Sequence, residues 1–294
     1  MLKVGVTGAG GLLGSTLVPL WRRAGAEVVA WRRADLDVTD EQAVLAAIAD
    51  VMPDVVVHAA GYTAVDRAEA EPDEAMRVNG QGTANVCRAC KAAGTRVVYI
   101  STDYVFDGDE AGPIAPDATP APLGAYGRSK LQGECEVRAL GDAGVVVRTG
   151  WMYGPGGINF VDTMRGAAVE RRPVMVVADQ RGAPTSSRLV AEALWGLCSA
   201  GVSKEWHVMS SGPATWFDVA RAVYEFAGGP VGLVTPCSTA ELGRPAPRPA
   251  NSYLDCRSVE ARLGVRLPDW REQVRAYVCE GVMPGTGLIG EAVA

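Results

Sequence analysis

The feature that most constrains the fold is a glycine-rich turn placed between a short apolar strand and a helix at the start of the chain. Residues 2–7 (LKVGVT) predict a buried strand, residues 8–14 (GAGGLLG) supply the turn, and residues 12–24 predict a helix. Glycine is needed where the chain turns tightly and where the backbone approaches a pyrophosphate, and the amides at a helix start bind the anion. Because a second strand follows over residues 27–31, the segment predicts a dinucleotide-binding unit.

Strand-like and helix-like segments alternate through about residue 150. The candidate strands are 2–7, 27–31, 55–59, 96–101 and 144–149, and the candidate helices are 12–24, 40–51, 73–93 and 125–140. Such alternation is typical of an α/β fold with a doubly wound parallel sheet, whose strands end at one crevice. We therefore predict a Rossmann-like NAD(P)-binding domain over 1–150, mainly a smaller C-terminal substrate-binding lobe over 151–283, and a flexible tail over 284–294.

The pattern loosens in the second half of the chain. Short strands are predicted at 174–177, 206–209 and 231–234, among helices near 160–170, 186–200, 215–227 and 257–264. The proline-rich segment 244–249 (RPAPRP) is interpreted as an ordered, extended connection, with a ligand for SH3-type domains as the alternative.

Composition excludes several classes of protein. The chain has 294 residues, of which 48% are hydrophobic, so it can bury a large core. It has neither an apolar run of roughly 18 residues nor a secretory leader pattern, so we predict a cytoplasmic protein without a membrane segment. A net charge of -6 with no basic stripe argues against nucleic-acid binding.

The cysteines and histidines do not form a metal-binding pattern. Seven scattered cysteines, an odd number, do not fit a secreted disulfide framework. Cys87 and Cys90 form one C-x-x-C pair without a second pair, so we interpret them as packing residues of a helix. Of the two histidines, His58 is interpreted as structural or close to a cofactor. No metal is predicted.

Tyr126 and Lys130 form the most informative chemical pair. On a helix, residues four apart lie on the same face, so an ammonium group would lie near a phenol. That charge stabilises the phenolate and is expected to lower the pKa of Tyr126 from about 10 toward neutrality. Tyr126 is thus a candidate general acid for reducing a carbonyl. Tyrosine and lysine at this spacing also occur on ordinary solvated helix faces. The pair therefore indicates catalysis only in combination with the glycine-rich turn.

Two arginines indicate which cofactor is bound. Arg32 and Arg33 stand at the end of the second strand, where NAD-selective chains usually place a carboxylate. Guanidinium groups suit the 2′-phosphate of NADP, so NADPH is the predicted cofactor. Solvated surface arginines are the alternative, and Asp35 and Asp37 leave the use of NAD open.

Longer motifs carry a resemblance to a known family. The chain resembles the dTDP-4-dehydrorhamnose reductase family of the extended short-chain dehydrogenase/reductases. The similarity covers nearly the whole chain, and its carriers are residues 7–14 (TGAGGLLG), 59–66 (AAGYTAVD), 68–69, 78–79, 101–108 (STDYVFDG), 126–130 (YGRSK), 148–154 (RTGWMYG), 159–160, 179–185 (DQRGAPT) and 248–252 (RPANS).

The resemblance implies NAD(P)H-dependent reduction of the C4 keto group of a dTDP-4-keto-6-deoxysugar. The substrate would be dTDP-4-dehydro-L-rhamnose or a related deoxysugar of a secondary-metabolite pathway. Thr102 would hydrogen-bond the carbonyl, Tyr126 would donate the proton, and Lys130 would tune Tyr126 and hold the nicotinamide ribose. The implied substrate-binding residues are Thr102, Asp103, Tyr104 and Trp151. The cofactor-binding residues are Gly8, Gly11, Leu12, Leu13, Gly14, Arg32, Arg33, Asp37, Val38, Ala60, Gly61, Tyr62, Thr63, Asn79, Ile100, Tyr126 and Lys130.

Several departures and alternatives follow from the same comparison of motifs. Sugar-nucleotide 4,6-dehydratases place a glutamate where Tyr104 stands, so dehydration is disfavoured. The family often has Ser or Thr at the position of Gly150, and Thr16 and Arg188 replace glutamates that some members use for a metal-bridged dimer. A homodimer is an assembly that the resemblance allows. The alternative function is a non-catalytic regulatory subunit, similar to the β subunit of methionine adenosyltransferase.

Overall fold

A computed structural model describes residues 1–289 of the chain. Its centre is a six-stranded sheet with the strand order β10-β5-β4-β3-β1-β2, in which every neighbouring pair is parallel. The strands are β1 (Lys3–Thr7), β2 (Glu27–Trp31), β3 (Val55–His58), β4 (Arg96–Thr102), β5 (Gly144–Thr149), β6 (Met152–Tyr153), β7 (Val174–Val177), β8 (Arg181–Gly182), β9 (Thr185–Ser186), β10 (Lys204–His207), β11 (Ala214–Thr215) and β12 (Val234–Cys237).

The helices lie on both faces of this sheet and in the second half of the chain. They are α1 (Gly14–Arg23), α2 (Glu41–Val51), α3 (Val65–Ala70), α4 (Pro72–Met76), α5 (Gly82–Ala93), α6 (Ala125–Arg138), α7 (Phe160–Val169), α8 (Ser187–Ser199), α9 (Trp216–Phe226), α10 (Thr239–Leu242), α11 (Arg257–Leu263) and α12 (Trp270–Glu280). The predicted α/β fold with a doubly wound parallel sheet is confirmed.

Sequence explains why the central strands form. β3 and β5 are almost continuous runs of valine, and all of their residues are buried. A parallel sheet covered by helices on both faces buries both sides of each strand, so apolar runs replace alternating patterns. The first strands run β1 to β2 on one side, and the chain then crosses back to β3 on the other side of β1. The crevice beyond β1 and β3 is therefore the expected ligand site.

Two predicted elements differ from the structure. The helix predicted over 73–93 is divided into α4, a π-helical turn at Arg77–Gln81, and α5. The strand predicted over 231–234 is instead a 3-10 turn at Val231–Leu233 that leads into β12. The π-helical turn was not predicted because a single such turn is too short to produce a periodicity of its own in the sequence.

The boundary predicted at residue 150 does not divide the chain into two separate cores. β10 returns to the central sheet and pairs with β5, and α8 packs against α1 in the first core. The second core contains α7, α9 and α12, with the two-stranded sheets β12-β7 and β11-β8 beside it. The C-terminal half therefore contributes to both parts of the molecule.

The predicted flexible tail lies partly within the described residues. Thr286 donates its hydroxyl hydrogen to Glu192 of α8 at 2.7 Å, and Ile289 is buried in the first core. Residues 284–289 are thus packed against the protein rather than extended into solvent. Residues 290–294 of the predicted tail lie outside the described part of the chain. Within residues 1–289, no helix is long and apolar enough to cross a membrane.

Candidate active site

A cleft of about 760 Å³ lies at the carboxyl ends of β1, β3 and β4. It begins at the glycine-rich turn, passes Lys130 and Tyr126, and ends at Trp151 in the second half of the chain. The predicted site residues that line it are Gly8, Gly11, Leu12, Leu13, Gly14, Arg32, Arg33, Asp37, Val38, Ala60, Gly61, Tyr62, Thr63, Ile100, Thr102, Asp103, Tyr104, Tyr126, Lys130 and Trp151. Of the predicted residues, Asn79 alone is missing from this lining.

The glycine-rich turn requires glycine at its two ends. Gly8 has φ +70°, and a Cβ there would lie 2.6 Å from the backbone nitrogen of Ala60. A Cβ on Gly14 would lie 2.6 Å from the Cα of Ala9. These close approaches bring the loops after β1 and β3 together and leave the start of α1 facing the cleft. Backbone amides at a helix start bind phosphate well, so this end of the cleft fits a pyrophosphate.

The far end of the cleft beyond β2 is basic. Arg32 and Arg33 are both exposed and line the cleft, and neither forms a salt bridge within residues 1–289. The backbone N–H of Arg32 donates to the Asp35 carboxylate at 2.9 Å, which turns the chain here. Hydrogen bonds from the backbone and side chain of Thr39 lower the pKa of Asp37. Two uncommitted guanidinium groups beside this carboxylate can bind an anionic group.

Asn79 occupies a different place from the predicted one. It lies in the π-helical turn and is buried behind Tyr62. Its Oδ1 accepts from the Tyr62 amide at 2.8 Å, and its Nδ2 donates to the Tyr62 carbonyl at 3.0 Å and to the Ser129 hydroxyl at 2.9 Å. Through these three hydrogen bonds, Asn79 holds the loop after β3 against α6. The predicted contact of Asn79 with the cofactor stays a prediction.

Lys130 is buried at the centre of the cleft. Its Nζ donates to the carbonyl oxygen of Ile100 at 2.6 Å and lies 4.0 Å from the centre of the Tyr99 ring. Burial lowers the pKa of Lys130 to about 7, while Glu134, one turn further along α6, acts in the opposite direction. Lys130 is therefore only partly protonated near neutral pH, and its amino group has hydrogens left to donate to a ligand.

The pKa of Tyr126 shifts opposite to the prediction. Desolvation raises the pKa of Tyr126 to about 12, the Thr102 hydroxyl lowers it in part, and the negative charge of Asp103 raises it further. Lys130 is not among the groups that shift the pKa of Tyr126. Tyr126 is therefore fully protonated near neutral pH in this structure, which suits a proton donor.

Thr102 and Asp103 form a polar pair where β4 ends. The Thr102 hydroxyl donates to Oδ1 of Asp103 at 2.9 Å and accepts from the Tyr104 amide at 3.2 Å. Asp103 is 2% exposed, and burial raises its pKa to about 6. A Cβ at Gly150 would collide with its carboxylate, so glycine at this position makes room for Asp103. The Tyr104 ring meets the Tyr126 ring edge-on at 6.2 Å.

An aromatic wall closes the cleft on the side of the second core. Trp151 has φ +50°, which is unusual for a bulky residue, and its ring stacks on Trp216 at 3.6 Å with 7° between the planes. Gly182 permits this position, because a Cβ there would lie 2.5 Å from the Trp151 ring. Trp216 also lines the cleft and was missed in the sequence. The one sequence feature that could have indicated Trp216 is its position at the start of α9, directly after the helix cap Thr215.

A buried ion pair lies behind the cleft. Glu134 and Arg148 are 0% and 1% exposed, and Arg148 donates to both carboxylate oxygens at 2.9 and 2.8 Å. The Ser101 hydroxyl donates to the same carboxylate at 2.6 Å. The pair therefore joins α6, β5 and the end of β4. Ser101 directly precedes Thr102, and Glu134 follows Lys130 by one helical turn. The ion pair therefore fixes the two elements that carry Thr102 and Lys130.

The histidine and cysteines lie in the interior. His58 bonds through Nδ1 to the Thr7 hydroxyl at 2.7 Å and through Nε2 to the Thr83 hydroxyl at 3.1 Å, and burial lowers its pKa to about 3. It is a structural residue, as interpreted from the sequence. Cys87 and Cys90 are buried in the packing of α5, which confirms their predicted place. Residues 1–289 contain no cluster of three or more histidine, cysteine or carboxylate side chains suited to a metal.

Comparison with known proteins gives consistent results. Residues 2–282 match the model of the family described as the RmlD substrate binding domain. The dTDP-4-dehydrorhamnose reductase of Streptomyces griseus is 42% identical over 275 residues, which cover 90% of this chain and 90% of that protein. The dTDP-4-keto-6-deoxy-D-glucose reductase of Streptomyces niveus is 40% identical over 250 residues, covering 85% of this chain and 87% of that protein.

A solved structure has the same fold over almost its whole length. The dTDP-4-dehydrorhamnose reductase of Bacillus anthracis, in complex with NADP, superimposes with a TM-score of 0.91 at 35% identity. The match covers 95% of this chain and 100% of that chain. The similarity thus includes the cleft and both cores.

Proposed function

Because the chain belongs to the dTDP-4-dehydrorhamnose reductase family, we propose that it reduces the C4 keto group of a dTDP-4-keto-6-deoxysugar with NADPH. The favoured reaction converts dTDP-4-dehydro-L-rhamnose, NADPH and a proton into dTDP-L-rhamnose and NADP⁺. A related deoxysugar is the second candidate substrate, because the relative from Streptomyces niveus is named for a different 4-keto sugar.

One observation carries this proposal. The glycine-rich turn, Thr102, Tyr126 and Lys130 come from separate parts of the chain and line a single cleft. A nucleotide site and a proton donor in one cleft are what carbonyl reduction by a nicotinamide cofactor requires. A binding module needs the first feature but has no use for a positioned proton donor.

The residues of the cleft fit NADP. The backbone at the start of α1 would bind the pyrophosphate, and Arg32 and Arg33 would bind the 2′-phosphate of the adenosine ribose. Asp37 and Val38 would flank the adenine, and residues 60–63 would follow the cofactor along the end of β3. NADPH supplies the hydride when it is bound. A guanidinium pair favours NADPH over NADH, since NADH lacks the phosphate.

The protein's own residues would act on the charge that develops at the ketone oxygen. Tyr126 would donate its proton to that oxygen, and Thr102 would hydrogen-bond to it. Lys130 would bind the nicotinamide ribose through the hydrogens that Ile100 does not use. Positioned proton transfer typically contributes about 10²–10⁴-fold to the rate, and an oxyanion donor contributes at a similar scale.

The sugar would lie between the end of β4 and the aromatic wall. Asp103 and Tyr104 would contact its polar groups, and Trp151, supported by Trp216, would cover its apolar face. These assignments give residues 151–283 a large share in substrate binding. α8 and β10 are the exceptions, because they pack into the nucleotide-binding core.

The proposal is tested by following the absorbance of NADPH with enzymatically prepared dTDP-4-dehydro-L-rhamnose, with NADH in parallel. Turnover that Tyr126→Phe lowers by at least about 10²-fold, with NADPH binding retained, supports the proposal. Tight NADPH binding without turnover of any dTDP-4-keto sugar contradicts it and favours the regulatory alternative. Equal turnover by wild type and Tyr126→Phe contradicts the assignment of the proton donor.

A further inference from the structure

The hydrogen bonds of Thr102 leave it without a hydrogen for the substrate. A hydroxyl group has one hydrogen and two lone pairs. The hydrogen goes to Oδ1 of Asp103, and one lone pair accepts from the Tyr104 amide. The one hydrogen-bonding position left on the hydroxyl is its second lone pair, and the Thr102 hydroxyl lowers the pKa of Tyr126. In this arrangement Thr102 can accept from Tyr126 but cannot donate to a ketone oxygen.

One oxygen of the Asp103 carboxyl group is buried without a hydrogen-bond donor. No group within residues 1–289 donates to Oδ2, and the Ser252 hydroxyl, which lowers the pKa of Asp103, donates to the Arg181 carbonyl oxygen instead. A buried carboxylate without partners on one oxygen is costly, whereas a neutral carboxylic acid in the same place is much less so. The carboxyl group is held against Gly150, so it cannot turn out into water without leaving Thr102.

We propose that Asp103 is the positioning residue that sets the direction of the Thr102 hydrogen, and that it does so as a neutral acid in the reacting complex. This inference rests on the proposed ketone reduction. A neutral Asp103 carries its hydrogen on Oδ1, 2.9 Å from the Thr102 hydroxyl, and donates it to that hydroxyl. Oδ2 is then an uncharged carbonyl oxygen, and the Tyr104 amide fills the second lone pair of the Thr102 hydroxyl. The Thr102 hydrogen then points to the ketone oxygen, and Tyr126 has no acceptor left except the substrate. One proton on Asp103 thus directs both donors to the same oxygen.

The surroundings of Asp103 agree with this state. The charge of Asp103 raises the pKa values of Tyr104 on its own turn and of Tyr126 on α6, and Arg248 lowers that of Tyr104. Lys130 lines the same cleft. Burial raises the pKa of Asp103 to about 6, with the Ser252 and Thr102 hydroxyls acting in the opposite direction. A substrate that fills the cleft removes more water and shifts the pKa in the same upward direction. The active form is therefore lost as the pH rises through that value.

The test is the pH profile of kcat for wild type, Asp103→Asn, Thr102→Val and the double variant. An asparagine amide donates to Thr102 at every pH. We expect a wild-type kcat that falls tenfold per pH unit above the pKa of Asp103, and a severalfold lower kcat without that descending limb in Asp103→Asn. Thr102→Val should lower kcat by about 10²–10³-fold and also abolish the limb, because Asp103 acts through Thr102. Adding Asp103→Asn to Thr102→Val should then change kcat by less than about threefold.

Three results would overturn the inference. They are a wild-type profile without a descending limb, a limb that persists at the same pH in Asp103→Asn, and a limb that persists in Thr102→Val. A limb in all variants belongs instead to Lys130, whose pKa is about 7. Absence of turnover in wild type refutes the proposed function, and the inference is then tested without turnover. Carbon-13 NMR of labelled aspartate in the NADP complex, with Asp103→Asn for assignment, should show a carboxyl that titrates at about 6 or above. Titration below about 4, the ordinary range, would contradict the inference.

Discussion

Replacing Arg148 by methionine should be among the more damaging single changes that leave every cleft-lining residue intact. Glu134 would keep its hydrogen bonds from Ser101 and from Arg138, which is partly exposed, but it would lose both bonds from Arg148. Removing one partner of a buried ion pair costs about 3–5 kcal/mol, because the other charge stays buried without compensation. Because Glu134 keeps its other contacts, the free energy of unfolding should fall by about 3 kcal/mol, the lower end of this range.

Urea unfolding measures this loss. With a slope of about 2–3 kcal/mol per molar urea, the midpoint should fall by about 1–1.5 M. The double variant Glu134→Leu/Arg148→Met removes both charges, so it should be less destabilised than the sum of the single variants by at least about 1 kcal/mol. The matched control is Arg172→Met, which removes a 52% exposed partner of Glu170 and should cost below about 1 kcal/mol.

The double-mutant cycle of Glu134 and Arg148 can also contradict this reasoning. If the effects of Glu134→Leu and Arg148→Met add within about 0.5 kcal/mol, the two charges do not stabilise each other. The same conclusion follows if Arg148→Met is no more destabilising than Arg172→Met. Because the ion pair connects the elements that carry Thr102 and Lys130, kcat of Arg148→Met should also fall at temperatures where the variant is still folded.

Three further outcomes are expected. Arg32→Asp should weaken NADPH binding by about 10–10²-fold and leave NADH binding within a few-fold in fluorescence titrations, and equal losses for both cofactors would remove the phosphate assignment. Trp216→Ala should raise KM for the sugar nucleotide by about tenfold through loss of the stack on Trp151, whereas Trp216→Phe should recover most of it in steady-state assays. As the pH falls from 6.5 to about 3, His58, whose folded-state pKa is lowered, should decrease the free energy of unfolding by up to about 1.4 kcal/mol per pH unit. The slope should be smaller by that amount in His58→Asn, while His207, whose pKa burial also lowers to about 3, keeps its own contribution.

Local patterns predicted the nucleotide-binding half of the molecule well. The valine runs of β3 and β5 and the glycine-rich turn before α1 are short-range signals, and each of these elements appears where expected. Tyr126 and Lys130 also lie in the predicted cleft. What these features share is that neighbours along the chain determine them.

Features set by distant contacts were missed. β10 pairs with β5 across a separation of more than 50 residues, so no local pattern assigns it to the central sheet. Asn79 lies in the π-helical turn and bonds to Tyr62 and Ser129 rather than lining the cleft. Trp216 lines the cleft where it stacks on Trp151, which is distant in the sequence. The direction of the Tyr126 pKa was wrong because spacing places a lysine on the same face but does not reveal how far burial outweighs it.

The most direct test of the central claim is to trace the hydride itself. Wild-type protein is incubated with dTDP-4-dehydro-L-rhamnose and NADPH carrying deuterium at C4 of the nicotinamide, prepared separately for each face of the ring. The dTDP-sugar product is then analysed by NMR. The proposed reaction predicts one deuterium at C4 of the sugar from one of the two labelled cofactors and none from the other. A product labelled at another carbon, or NADPH bound tightly without transfer of label to any dTDP-4-keto sugar, would contradict it.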